Sequence, residues 1–293
     1  MTREFVTARN NRGIRLIAID LDGTLLNSAG QLPRHSCHLI QKAFGQGIRI
    51  ILSTTQNYKD VERICAVLAI DDPIICSNGA YIFEEPGGAL WQKLCLPVPV
   101  AERICQVADE NNWELSISNG ELTYFNQRPG QEMGQLAENI EVVPSNCQAL
   151  VDQPHRILTW QPQALEGLRT ICLKEFQGVC RTEIFYRPDG ELHSLGIFAW
   201  GADKGSALAF VLAKIGISTH QVMAIGDNRN DLPMFDLAEV KVAMGNAIEE
   251  IKQVATIIAP SNEDEGVAWV LENYVFKVAG MLIGSAASQR PWL

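Results

Sequence analysis

Ile17-Ala18-Ile19-Asp20-Leu21-Asp22-Gly23-Thr24-Leu25-Leu26 decides the reading of this chain. An apolar strand ends in two carboxylates two residues apart, and Gly23 then permits a bend that residues with a Cβ resist. Acids at a strand's carboxyl end suit a cation site or acid/base chemistry on an anionic substrate. The alternative is a solvated turn with no chemistry.

Outward from this run the sequence alternates apolar strands with amphipathic helices. Ile48–Leu52 and Pro73–Cys76 are expected strands, and 34–44 and 60–70 are expected helices. After residue 204 the alternation resumes, with strands at Gln221–Ile225 and Val240–Met244. Such alternation predicts a parallel sheet with helices on its faces, whose ligand lies beyond the carboxyl ends of the strands. Between Trp91 and Arg187 the pattern changes to a helix at 100–108 and a hairpin turning at Asn119-Gly120. Further strands are expected at His155–Trp160 and Thr182–Tyr186. This middle section reads as an inserted α/β domain. The expected division is a core of 1–86 and 188–293 with an insert of 87–187, hinged at the turn-rich 84–88 and 187–190.

The bulk composition excludes several classes. The chain has 293 residues, 47% hydrophobic and 20% charged, and a formal charge of -10. That sign opposes nonspecific binding to nucleic acid or an anionic membrane. Residues 1–13 lack the apolar core of a signal peptide, and no stretch is long enough to span a bilayer. A cytoplasmic location is the expectation. Eight dispersed cysteines without a Cys-x-x-Cys pair are expected to be thiols. The five histidines have no zinc spacing.

Four polar clusters follow apolar strands: Asp20/Asp22, Ser53/Thr54, Asn78/Gly79 and Gly226-Asp227-Asn228 with Asp231. Lys204 opens a helix and is a fifth candidate. A phosphate needs cationic and N–H partners, which Lys204, the Thr54 hydroxyl and the backbone around Leu21, Gly23 and Thr24 can offer. Magnesium prefers oxygen ligands, here Asp20, Asp227 and the backbone carbonyl near Asp22. Bringing Asp20 near Asp227 costs repulsion unless a cation lies between them. The acidic pair Asp264-Glu265 reads as a solvated loop.

Together these motifs resemble the haloacid dehalogenase-like superfamily, specifically Cof-type phosphatases. The resemblance rests on Asp20-Leu-Asp22-Gly-Thr-Leu-Leu26, Thr54 after Ile-Ile-Leu-Ser, Lys204 in Asp-Lys-Gly-Ser, and Gly226-Asp-Asn-Arg-Asn-Asp231. Accessory matches are Ser77-Asn-Gly-Ala80, Val242–Ala247 and Ser261–Ala268. The resemblance implies a Rossmann-like core with an inserted α/β cap of the C2B type. It also implies a Mg²⁺-dependent phosphomonoester hydrolase of small phosphorylated metabolites. Asp20 would be the nucleophile and Asp22 the acid/base. Leu21, Gly23, Thr54, Asn78 and Lys204 would bind phosphate. Asp20, Asp22 and Asp227 would hold the metal, supported by Asn228, Asp231 and Asn246. Cap contacts to substrate are sought among Arg128, Arg156, Trp160, Arg181 and Glu183.

One departure stands out: relatives commonly follow the Thr with Gly-Arg, whereas Thr55-Gln56 stands here. It bears on substrate class. The competing readings are a phosphomutase and a non-catalytic phospho-ligand-binding regulator. The expected assembly is a monomer or weak homodimer.

Overall fold

The computed structural model describes residues 13–127, 139–186 and 191–276. The apolar run forms β1 (Leu16–Ile19), buried at all four positions. It pairs in parallel on both edges, with β2 (Arg49–Ser53) and β12 (Val222–Gly226). A strand enclosed on both faces has no wet side, which accounts for its unbroken apolar sequence.

The larger sheet adds β3 (Ile74–Cys76), β4 (Tyr81–Phe83) and β5 (Leu90–Lys93) on one side. On the other side lie β13 (Val240–Ala243) and β14 (Ile257–Ile258), giving the order β14-β13-β12-β1-β2-β3-β4-β5. Only β4 runs against the other strands, pairing antiparallel with β3 on one side and β5 on the other. The helices of this core are α1 (Arg34–Gly45) and α2 (Tyr58–Leu68), then α5 (Lys204–Ile215), α6 (Leu232–Leu237), α7 (Glu249–Val254) and α8 (Gly266–Val270).

A second sheet comprises β6 (Ser116–Asn119), β7 (Leu122–Phe125), β8 (Ile140–Val142), β9 (Arg156–Thr159), β10 (Cys180–Tyr186) and β11 (Leu192–Ala199). Its order is β10-β11-β9-β6-β7-β8. Helices α3 (Val98–Glu110) and α4 (Pro162–Glu175) pack with it around a separate apolar cluster. The fold is therefore a Rossmann-like α/β core carrying an inserted α/β cap domain.

Sheet membership departs from the expected edges of the insert. Leu90–Lys93 pairs with β4 and so extends the larger sheet beyond residue 87. Leu192–Ala199 pairs with β9 and β10 in the smaller sheet, well past residue 187. The hairpin turn also shifts by one residue. Asn119 pairs with Leu122, leaving Gly120 and Glu121 as the loop, and the Asn119 amide donates to the Ala149 carbonyl at 3.0 Å. Arg128 and the proposed hinge at 187–190 lie outside the described residues. All eight cysteines are free thiols. Among the described residues no helix is long and apolar enough to cross a membrane.

Candidate active site

Parallel pairing brings the ends of β1 and β12 side by side, and this places the two acidic motifs together. Asp20 follows β1 directly, its N–H donating to the Ile225 carbonyl at 3.1 Å. Gly23 has φ +79°, and a Cβ on it would lie 2.5 Å from Asp227 Oδ2. Glycine thus supplies both the positive φ and the close approach. The Thr24 hydroxyl uses that approach, donating to Asp227 Oδ1 at 2.9 Å.

Lys204 opens α5 and is completely buried. Its Nζ donates to Asp20 Oδ1 at 2.5 Å and to Asp231 Oδ1 at 2.6 Å. Asp231 Oδ2 accepts the backbone N–H groups of Asp227 (2.9 Å) and Asn228 (3.0 Å). Carboxylate oxygens of Asp20, Asp227 and Asp231 all lie within 4.8 Å of one another. Asp231, expected only as a support, is thus a full member of the acidic cluster.

Three carboxylates against one ammonium leave surplus negative charge in a dry place. Burial pushes Asp20 well above the usual carboxylate range; Lys204 opposes this, while Asp231, Asp227 and Asp22 add to it. Burial and Asp231 push Asp227 up to about 7. Burial disfavours the Lys204 ammonium, yet Asp20 and Asp231 outweigh it and hold its pKa above the ordinary lysine value. A divalent cation would relieve this surplus, and an all-oxygen donor set fits a hard ion such as magnesium.

Asp22 stands apart from that cluster. Its carboxylate accepts a hydrogen bond from Gln56 Nε2 at 2.8 Å. One side opens to solvent, while the surrounding protein raises its pKa against the lowering influence of Gln56 and Lys204. Thr54 is buried, and its Oγ1 accepts the Gln56 N–H at 3.1 Å. Asn78 has φ +56° and donates its own N–H to the Thr54 carbonyl at 2.9 Å. Its Nδ2 is buried with no hydrogen-bond partner among the described residues, a donor available to a ligand.

Other predicted residues act on the backbone. Asn246 Nδ2 donates to the Gly23 carbonyl at 2.8 Å and so clamps the loop after β1. Asn228 Oδ1 accepts the Arg229 N–H, and its Nδ2 reaches the Tyr186 carbonyl at 3.2 Å. Among the cap candidates, Arg156 crosses to the core and donates to the Thr55 carbonyl at 2.9 Å. Arg181 instead pairs with Glu183 and donates to the Ala202 carbonyl. Sequence reasoning missed the side chain of Thr24 and the Gln56–Asp22 bond. The hydroxyl two residues after Asp22 was a signal for the first; nothing in the sequence signals the second.

Residues 17–271 match the haloacid dehalogenase-like hydrolase family. The chain belongs to that family. It is a hydrolytic enzyme. Similar proteins include Phosphatase YwpJ of Bacillus subtilis, 26% identical over 284 residues, covering 89% of this chain and 99% of that one. The 5-amino-6-(5-phospho-D-ribitylamino)uracil phosphatase YcsE of the same organism is 28% identical over 270 residues, covering 91% and 98%. The crystal structure of a haloacid dehalogenase-like hydrolase from Bacteroides thetaiotaomicron superposes with a TM-score of 0.76 at 26% identity, covering 88% of this chain and 98% of that one.

Proposed function

We propose that this enzyme is a Mg²⁺-dependent phosphatase of the Cof type, hydrolysing a small phosphorylated metabolite such as a sugar phosphate. The observation that carries the reading is the cluster of Asp20, Asp227 and Asp231, with Lys204 pairing the two buried acids Asp20 and Asp231, beside an exposed Asp22. Relatives named as phosphatases support the reaction class. We further propose that residues 95–199, which carry the smaller sheet, form a C2B-type cap that selects the leaving group.

In this reading Asp20 attacks phosphorus, and the bond from phosphorus to the leaving oxygen breaks. Asp22 donates its proton to that oxygen. The Asp22 carboxylate then takes a proton from water, whose oxygen attacks the aspartyl-phosphate and frees phosphate and the Asp20 carboxylate. Lys204 fixes one oxygen of Asp20, so the nucleophile is oriented before substrate arrives. Thr54 and Asn78 supply uncharged donors to the phosphoryl oxygens. Asp20, Asp227 and the backbone at Asp22 would hold Mg²⁺, with Asp231 fixing the loop. When bound, the ion neutralises charge on the acids and the phosphoryl group.

The test is phosphate release across a panel of phosphorylated metabolites with and without MgCl₂. The native enzyme is expected to be active only with the metal, and Asp20→Asn to lose at least ~10³-fold of that activity. Equal activity in Asp20→Asn, or activity indifferent to a chelator, would refute the assignment.

A further inference from the structure

Gln56 occupies the position after Thr54-Thr55 where the resemblance led to an arginine, and the structure gives it a definite task. Its backbone is pinned from three directions. The Gln56 N–H donates to Thr54 Oγ1 at 3.1 Å, and its carbonyl accepts the Ser77 N–H at 2.8 Å. The preceding carbonyl, that of Thr55, accepts Arg156 Nη1 at 2.9 Å. With the backbone held, the side chain presents Nε2 to Asp22 Oδ1 at 2.8 Å.

Arg156 is an unusual anchor. It starts β9 in the smaller sheet, and its second bond runs from Nη2 to Ser118 Oγ at 3.1 Å on neighbouring β6. Both acceptors are uncharged. Burial lowers its pKa only to about 10, so the guanidinium keeps its charge at neutral pH. Charge-assisted donation to a carbonyl is stronger than a neutral hydrogen bond, which makes this a firm tie from the smaller sheet to the core loop after β2.

Asp22, by contrast, is an exposed residue whose carboxyl accepts its side-chain hydrogen bond from Gln56. A group that must give a proton in one step and take one in the next works best with one oxygen held and the other facing the reaction. Gln56 holds Oδ1 and leaves Oδ2.

We propose that Gln56 is a positioning residue: its amide orients the Asp22 carboxyl toward the leaving oxygen, and Arg156 of the cap secures the loop that carries Gln56. The inference rests on the phosphatase reading above and assigns this chain's own substitute for an arginine at that position. It also makes the orientation of Asp22 depend on the cap being seated.

The experiment measures kcat/KM for native enzyme, Gln56→Ala and Arg156→Ala along a series from p-nitrophenyl phosphate through phenyl phosphate to alkyl phosphates. This parameter reports the steps up to leaving-group departure. A good leaving group needs no proton, whereas an alkoxide does. The expected loss for Gln56→Ala is within about 3-fold on p-nitrophenyl phosphate and rises to roughly 10–100-fold on alkyl phosphates. Arg156→Ala follows the same trend with smaller losses. A loss that is uniform along the series in both variants, as general destabilisation would give, overturns the proposal. A native enzyme inactive on the whole series overturns the phosphatase reading itself, and this inference with it.

Discussion

At Asp227, burial and the neighbouring Asp231 raise the carboxyl to about 7 from an ordinary 3.8, against the pull of Thr24 and Lys204. A carboxyl raised on folding stabilises the metal-free protein fully below its unfolded pKa and loses that contribution as pH rises through the folded one. The metal-free enzyme is therefore expected to weaken between about pH 4 and about pH 7. Cation binding has the opposite slope, because the ligands must be ionised. The rise in Tm on adding MgCl₂ is expected to be small near pH 5.5 and larger near pH 8. A pH-independent rise in thermal melts contradicts this account. Asp20, Asp22, Lys204 and Asp227 were legible in the sequence because each stands where an apolar element begins or ends. The bonds of Thr24 and Gln56 were not, since each partner is distant along the chain: Asp227 lies 203 residues from Thr24.

Among the elements, helix ends do much of the positioning. Helix α1 follows Pro33, which has no side-chain oxygen to cap it. Glu265 provides the missing acceptor from the far end of the chain, taking the Ser36 N–H at 3.0 Å and its hydroxyl at 3.2 Å. The loop read as solvated is thus a tertiary cap on the first helix, favoured by the positive end of the helix dipole. Helix α5 owes its placement to Gly205. A Cβ there would lie 2.4 Å from the Pro233 carbonyl oxygen of α6, so alanine forces the two helices apart and drags Lys204 with them. Gly205→Ala is expected to cost about 1–3 kcal/mol and to lower phosphate release. Gly45→Ala, with nothing within 4 Å, is expected to leave both nearly unchanged. Urea unfolding and a turnover assay on the two variants distinguish local crowding from a general intolerance of alanine.

For the whole molecule, two apolar clusters exist because the chain builds two sheets. Strand β11 passes from one to the other: Leu195 and Ile197 belong to the cap cluster, Phe198 and Ala199 to the core. The junction also holds His155, fully buried, its ring edge-on to Tyr81 of β4 at 4.9 Å. Neither ring nitrogen has a hydrogen-bond partner among the described residues. Burial, with Arg156 and Lys93 nearby, holds its pKa well below the ordinary 6.5. For a histidine lowered on folding, stability is intact above the unfolded pKa and falls as pH drops below it. His155→Phe, which removes the titrating group, is expected to lose less Tm than the native protein between about pH 7.5 and about pH 5. Equal losses would place the acid sensitivity elsewhere.

The alternation of strand and helix, the acids at the strand ends and the presence of an insert are written in the chain itself. Those features follow from local hydrophobic period and turn chemistry, which neighbouring residues carry. Three-dimensional packing sets which sheet β5 and β11 join, that Glu265 caps α1, that Gln56 meets Asp22, and that Arg156 meets the Thr55 carbonyl beside Gln56. The contacts of Glu265, Gln56 and Arg156 join segments far apart in the chain, whereas β5 and β11 pair with the strands just before them, and only packing decides to which sheet each hairpin belongs. The Asp20-Leu21-Asp22 run marks where chemistry is expected; the packing around it assigns the two carboxylates different surroundings, one buried against Lys204 and one held at the surface by Gln56.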